Sequence, residues 1–497
     1  MSRVLFEVLA RHAAQQPAAV ALRGEGGALR YGELPGAIAA LADACRDDTG
    51  TVGLIADNGP HWALADLAML AAGRSLVPLP LFFSPAQAAH ALRDAGVTSL
   101  LVDPALPLPE PLASLPREAL PLPAGCGRLQ RIRLPWASAR TLPAGTAKIT
   151  YTSGSTGAPK GVCLDTATQL AQARALAAAV GAGPGDVHLA ALPLATLLEN
   201  IGGVYAPLLA GAETRLPSLA AVGLSGASGF QPQALLAQLQ AASANTLILV
   251  PQQLLALVRA IEAGASAPPS LRVVAVGGAS VSPRLIDRAV ALGLPVYEGY
   301  GLSECSSVVA LNRPGAARPG SVGRPLPGLD VQVSDRGELV VSGRGFLGYV
   351  GEAERAADAP VATGDLGHFD ADGYLHLDGR SKNLIVTAFG RNVSPEWIER
   401  ELTVAAAIPQ AAVFGDGQPS LSAVIVSTAS DAAIDAALAA INALLPDYAR
   451  VRRWLRADAP FSTANQQLTA NGRPRRAAIV AAYGARLAAL HEETETP

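Results

Sequence analysis

The stretch Ile149-Thr-Tyr-Thr-Ser-Gly-Ser-Thr-Gly-Ala-Pro-Lys-Gly-Val-Cys163 reads as a short strand running into a loop built to cradle phosphate. Ile149 and Tyr151 favour strand, Thr152 to Gly157 are all small hydroxyl or glycine residues, and Lys160 adds a positive charge three residues later. Gly154 and Gly157 have no side chain to hold an anion away, so backbone N–H groups can reach its oxygens. Pro159 stands where a G-x-x-x-x-G-K-[ST] loop counted from Gly154 needs its second glycine, which excludes a Walker A loop. A Ser/Gly-rich turn between strands is the plainer alternative.

Upstream, helical and strand patterns alternate. Val4 to Ala14 and Gly36 to Cys45 have helical spacing; Thr51-Val-Gly-Leu-Ile-Ala56 is a buried strand, and the proline after Asn58-Gly suits a helix start. Ser75-Leu-Val-Pro-Leu79 and Ser99-Leu-Leu-Val-Asp103 are further strands, with a helix between them capped at Ser84. Such alternation predicts parallel sheets covered by helices, an α/β fold. The Pro-rich run 104–143 reads as connector and edge.

Downstream, a helix over 167–180 precedes two strand and helix pairs. Val273-Val-Ala-Val-Gly-Gly-Ala-Ser280 and Pro295-Val-Tyr-Glu-Gly-Tyr-Gly-Leu-Ser-Glu304 then each read as a buried strand ending in glycines, at the edge where open α/β sheets bind ligands. From about 329 a small β unit follows, and a second change comes at Gly379-Arg-Ser-Lys-Asn383. The expected domains are therefore residues 1–380 and a small α+β unit over 381–497. Gly343-Arg-Gly-Phe-Leu-Gly348 matches G-x-G-x-x-G, but it follows a β-rich region and lacks the acidic residue that a dinucleotide-binding βαβ unit requires.

At 497 residues, 50% hydrophobic and 16% charged, the chain is long enough for two or three folded domains. A net charge of −3 gives no basic footprint for nucleic acid; Arg450, Arg452, Arg453 and Arg456 form only a local basic edge. The four cysteines are far apart, suggesting neither a zinc site nor a disulfide framework and pointing to a reducing, cytoplasmic setting. Glu7, Arg11 and His12 interrupt the apolar start, unlike a signal peptide, and no apolar run is long enough to span a bilayer. Peripheral membrane contact stays open.

Four separated stretches would suit a nucleoside triphosphate and an acid: the loop 152–160 for phosphates, Tyr300 between Gly299 and Gly301 for a base, Glu304 for Mg2+, and Asp365 in Thr363-Gly-Asp-Leu-Gly367 for ribose hydroxyls. Singly, Tyr300 could be core, Glu304 a helix-start charge and Asp365 a turn residue. Their order, together with Leu29-Arg-Tyr-Gly-Glu-Leu34, Gly277-Gly-Ala279, Gly320-Ser-Val-Gly-Arg-Pro325, Gly379-Arg-Ser-Lys382, Leu445-Pro-Asp-Tyr448 and Leu468-Thr-Ala-Asn-Gly-Arg-Pro-Arg-Arg476, resembles the acyl-adenylate-forming superfamily. The wording of Leu197-Leu-Glu-Asn200 and Phe389-Gly-Arg-Asn-Val-Ser-Pro-Glu-Trp-Ile-Glu399 is most similar to its long-chain fatty acyl-CoA synthetases.

The resemblance implies a large N-terminal domain, a mobile C-terminal lid, and ATP, Mg2+ and CoA as partners of a carboxylic acid. Acid and ATP would form acyl-AMP and pyrophosphate, and a thiol would then displace AMP. By resemblance Thr152, Ser153, Gly154, Ser155, Thr156, Gly157 and Lys160 hold phosphates; Gly277, Gly278, Gly299, Tyr300 and Gly301 frame adenine; Asp365 and Arg380 bind ribose; and Glu304 binds Mg2+. Lys382 matches the hinge and Gly390 the pantetheine tunnel. Thr152, Glu304 and Arg473 carry the catalytic positions.

Two departures stand out. Arg473 occupies the family's catalytic lysine position; it keeps the charge, but its planar fork does not deliver it as an ammonium does. After Leu192-Pro-Leu194, Ala195 and Thr196 replace the aromatic and histidine of many relatives, so Thr196, Asn200 and Gly202 are expected to line a roomy acyl pocket for a medium to long fatty acid. One alternative loads a carrier-protein phosphopantetheine or closes a β-lactone; another, of a different class, is a non-catalytic acyl or nucleotide binder.

Overall fold

Short apolar runs of the sequence become the middles of two large sheets. The computed structural model describes residues 3–135, 141–152, 159–226, 229–469 and 472–492. In the first sheet Thr146–Thr152, Leu76–Pro78, Thr51–Ile55 and Val97–Val102 lie parallel in that order. Antiparallel strands complete its edges: Lys160–Asp165 and Gly348–Tyr349 on one side, Gln130–Arg133 and Arg117–Ala119 on the other. In the second sheet Val296–Leu302, Val273–Val276, Thr246–Leu249, Val187–Leu189, Glu213–Arg215 and Val20–Arg23 run parallel. Strands covered on both faces need no polar alternation, which is why Val273-Val-Ala-Val276 and Thr246-Leu-Ile-Leu249 read as continuous apolar segments.

Local signals fix the covering helices. Ser84 starts Pro85–Asp94 with a reciprocal capping box to Gln87, and Asp165 caps Thr166–Ala179 by accepting from Thr168 N at 2.7 Å. Pro60–Ala71 has no polar stripe because it is enclosed on every side; Pro60 through Leu70 are all buried.

One detail differs from the sequence expectation. The strand Val296–Leu302 does not end at its glycines but runs through them, paired with Ser307–Leu311. The cause is close approach: a Cβ on Gly301 would sit 1.7 Å from the carbonyl oxygen of Ser307. As expected, the Pro-rich run supplies an edge: Arg117–Ala119 is the outermost strand and Gln130–Arg133 lies beside it, where proline-rich flanks are tolerated.

Beyond the sheets, Asp330–Val333, Glu338–Ser342, Val361–Phe369 and Leu375–Arg380 make the antiparallel β unit. The C-terminal part folds Gln410–Phe414, Leu421–Val426 and Val451–Arg456 into one sheet, flanked by helices Pro395–Val404, Asp431–Asn442 and Arg476–Glu492. Its buried cores draw on residues from Ile385 onward, separate from those of the large sheets. This is the two-part α/β architecture expected of the sequence. Among the described residues no helix is long and apolar enough to cross a membrane.

Candidate active site

Three elements meet at the carboxyl edge of the second sheet. Tyr300, within Val296–Leu302, donates its hydroxyl to Asp365 Oδ2 at 2.7 Å. Asp365 sits on Val361–Phe369 directly opposite Arg380 of Leu375–Arg380, and Arg380 Nε lies 2.8 Å from Asp365 Oδ1. Burial pushes the Asp365 carboxyl upward, and Arg380 followed by the Tyr300 hydroxyl pulls it back toward the charged form. Burial likewise pushes the Tyr300 phenol well above its usual range. The ring of Tyr300 is packed into the core, so its hydroxyl edge is the part turned to the site.

Gly277 and Gly278 follow Val273–Val276. Gly278 has φ +84°, and a Cβ on Gly277 would lie 3.3 Å from Gly299 O, so the two glycine stretches touch through backbone. Arg473 reaches this loop from the C-terminal part: its Nη2 donates to the carbonyl oxygen of Gly278. A tight turn presents it, with Thr469 Oγ1 accepting from Arg473 N at 3.0 Å and Thr469 N donating to Arg473 O at 2.8 Å. Burial, then the neighbouring Arg380, lowers the Arg473 guanidinium from its ordinary value, while Asp365 opposes them. Among the described residues Arg473 Nε is buried without an acceptor. An oxygen of a bound phosphate, ribose or carboxylate would satisfy it, so the chemistry of the site fits a nucleotide and an acid.

Thr152 ends Thr146–Thr152 and pairs with Lys160, the first residue of the returning strand. Ser153, Gly154, Ser155, Thr156 and Gly157, expected to hold phosphates, lie outside the described residues. Lys160 Nζ lies 3.3 Å from Glu352 Oε1, a half-exposed pair of the kind worth under about 1 kcal/mol, so a phosphate can take it over. Glu304 accepts a hydrogen bond from the Tyr349 hydroxyl at 2.9 Å on Oε1, and among the described residues Oε2 has no donor. No cluster of three or more ligating side chains occurs among those residues. One half-buried carboxylate with a free oxygen suits Mg2+ that arrives with phosphate oxygens and water as its other ligands.

The residues expected to line an acyl pocket gather at one helical turn. Asn200 is buried, its Nδ2 donates to Asp66 Oδ2 at 2.9 Å and its Oδ1 accepts from Lys148 Nζ. Gly202 faces the second sheet, where a Cβ would meet Ile248 Cδ1 at 2.7 Å, and it borders a small cavity with His188, Ala206 and Thr246. Both belong to a π-helical turn, Asn200–Tyr205, whose inward face is set by these contacts. Thr196 donates to Pro193 O at 2.7 Å at the start of that helix. Lys382 is exposed, and Gly390, φ +70°, sits in an exposed turn with open space around it.

Several groups were not legible in sequence. Asn58 clamps the Leu-Pro-Leu segment, donating to Leu192 O and accepting from Leu194 N, both at 2.8 Å. Arg400 Nη1 donates to Ser280 Oγ at 2.5 Å and Ser282 Oγ donates to Glu401 Oε2 at 3.1 Å, docking the helix Pro395–Val404 on the glycine loop. Beneath them burial pushes the Glu298 carboxyl up to about 7, against the pull of Arg400 and the N–H of Val281. Folding therefore takes up a proton at Glu298 between about pH 4.5 and 7, stability falls with rising pH through that window, and the full cost is present above it. Glu298→Gln is expected to stabilise the chain by about 1–3 kcal/mol at pH 8 and by far less at pH 5. Urea unfolding at both pH values tests this; equal gains would contradict it.

Comparison with known proteins follows the same lines. The family model described as AMP-binding enzyme matches residues 9–350, and the one described as AMP-binding enzyme C-terminal domain matches 382–495. The chain belongs to the AMP-binding enzyme family. Within it, the chain is 31% identical over 431 residues to long-chain-fatty-acid–CoA ligase FadD15 of Mycobacterium bovis, covering 73% of this chain and 71% of that protein. It is 27% identical over 471 residues to fatty acid–[acyl-carrier-protein] ligase MmaC of Mycobacterium marinum, covering 85% and 86%. Among AMP-binding enzyme structures, the anthranilate CoA ligase AuaEII with anthranoyl-AMP superposes with a TM-score of 0.79 at 20% identity, over 96% of each chain; this establishes the fold.

Proposed function

We propose that this AMP-binding enzyme is an acid–thiol ligase that joins a carboxylic acid to ATP, forming acyl-AMP and pyrophosphate, and then transfers the acyl group to the thiol of CoA with release of AMP. The observation that carries this reading is the meeting of Arg473, with its unpaired Nε, and the Tyr300–Asp365–Arg380 group across the Gly277–Gly278 loop. In this reading Asp365 and Arg380 hold ribose, the glycine loop and Gly299–Gly301 frame adenine, and Thr152 with the loop after it and Lys160 hold phosphates. Arg473 stabilises the negative charge that gathers as the carboxylate attacks the α-phosphate. Mg2+ held at Glu304 would add Lewis-acid charge neutralisation on the phosphate oxygens. The hinge lies at Lys382, between an adenylation domain over 1–380 and a lid over 381–497, and Gly390 enters the thiol tunnel after lid rotation.

A medium to long fatty acid is the substrate class we favour. The likeness to FadD15 and MmaC supports it, and so does small Ala195 beside Thr196 in place of bulkier groups. MmaC also supports a second reading in which the acceptor is carrier-protein phosphopantetheine. A panel of fatty, aryl and β-hydroxy acids, assayed for pyrophosphate release and acyl transfer with free CoA or holo carrier protein, tests both. Acyl-CoA formed from fatty acids is the expected result; acylated carrier with inert CoA would replace it with the second reading.

A further inference from the structure

Tyr349 joins the returning strand of the phosphate loop to the carboxylate assigned to Mg2+. It lies on Gly348–Tyr349, which pairs antiparallel with Lys160–Asp165, Tyr349 opposite Val162 and Gly348 opposite Cys163. Val350 N to Gly161 O and Leu347 N to Cys163 O, both 2.9 Å, continue the ladder on either side. The approach is too close for larger residues: a Cβ on Gly161 would lie 2.7 Å from Val350 Cγ2, and one on Gly348 2.9 Å from Ala353 O. The backbone under the tyrosine is thus held to the strand leaving the phosphate loop. Phe346 contacts its ring edge-on at 4.8 Å, and Lys160 Nζ sits 4.9 Å from the ring centroid. From this fixed ring the hydroxyl reaches Glu304 Oε1 at 2.9 Å.

We propose that Tyr349 is a positioning residue for the metal carboxylate, holding Glu304 through Oε1 so that Oε2 faces the cation, while its ring seats Lys160 beside the same phosphates. The inference rests on the reading of Glu304 as the Mg2+ carboxylate. A carboxylate free to rotate loses orientational freedom each time it binds a cation; one already held by a hydroxyl has lost it beforehand, and removal of such an orienting partner typically weakens metal affinity 10- to 100-fold. A tyrosine kept only for packing would tolerate loss of its hydroxyl, since Tyr349→Phe preserves the ring, the Phe346 contact and the seat of Lys160.

The test is equilibrium titration of ATP into wild type, Tyr349→Phe, Lys160→Met and Glu304→Gln, without acid, first in chelator and then at increasing Mg2+. Tyr349→Phe is expected to need about 10-fold more Mg2+ to tighten ATP binding half-maximally, with affinity in chelator unchanged. In pyrophosphate exchange its KM for Mg2+ rises while kcat at saturating Mg2+ stays near wild type. Lys160→Met removes a phosphate cation and is expected to weaken ATP binding in chelator as well as with Mg2+, a pattern distinct from that of Tyr349→Phe. A wild-type Mg2+ dependence in Tyr349→Phe, or an equal loss of its ATP affinity in chelator, overturns the role of the hydroxyl. If Glu304→Gln is displaced and Tyr349→Phe is not, only the tyrosine assignment fails; if neither is displaced, the Glu304 reading fails with it.

Discussion

Arg473→Ala is expected to lower acid-dependent pyrophosphate exchange about 100- to 1,000-fold, the range seen when one preorganised charge-stabilising donor is removed. The group is aimed, not free: Nη2 is tied to Gly278 O and the turn Thr469–Arg473 fixes its backbone, while Nε awaits an acceptor. The charge it meets appears only when the carboxylate attacks ATP. Transfer from preformed acyl-AMP to CoA begins after pyrophosphate has left, so that half-reaction should fall far less. Arg473→Lys keeps the charge but trades the fork for a point donor that cannot serve Gly278 O and the nucleotide together; activity within about 10-fold of wild type is expected. Loss of both half-reactions together in Arg473→Ala would contradict the assignment.

Lys148→Ala is expected to destabilise the large part of the chain by about 3–5 kcal/mol, because it leaves the buried carboxylate of Asp66 without its cation. Lys148 Nζ lies 2.8 Å from Asp66 Oδ1 and 3.0 Å from Tyr205 Oη, and Tyr205 donates to Asp66 Oδ2 at 2.7 Å. Burial lowers the Lys148 ammonium, and Asp66 opposes the shift. Replacing Lys148 and Asp66 together by apolar residues of similar volume should cost much less than the single change, since no unpaired charge remains. Lys148, Thr150 and Thr152 share one face of the strand that enters the phosphate loop, so the single variant should also raise the KM for ATP. Urea unfolding of the two single variants and the double variant measures the coupling; additive losses would show that the pair is not acting as one unit.

This cluster also shows where sequence reading stops. Asn200 was legible only through the Leu-Leu-Glu-Asn wording; its partner Asp66 lies 134 residues earlier, and nothing in either neighbourhood announces the pairing. Tyr349 and Glu304 are 45 residues apart and meet only because Gly348–Tyr349 adds to the edge of the first sheet. By contrast, the helix start at Ser84 and the strands Val97–Val102 and Val273–Val276 were legible, since capping chemistry and apolar runs are local properties. The residues joining Tyr300, Asp365 and Arg473 were legible one by one as chemistry, and their meeting required the fold. One glycine deceived in a definite way: Gly301 marks close backbone approach where the sequence suggested a strand end.

Acid-dependent exchange of labelled pyrophosphate into ATP, measured with Mg2+ and without any thiol, tests adenylation most directly. The wild-type protein is predicted to exchange label only when a fatty acid is present, with the rate unaffected by omitting CoA. ATP binding with no exchange across the acid panel would contradict adenylation and leave a nucleotide-binding protein in its place.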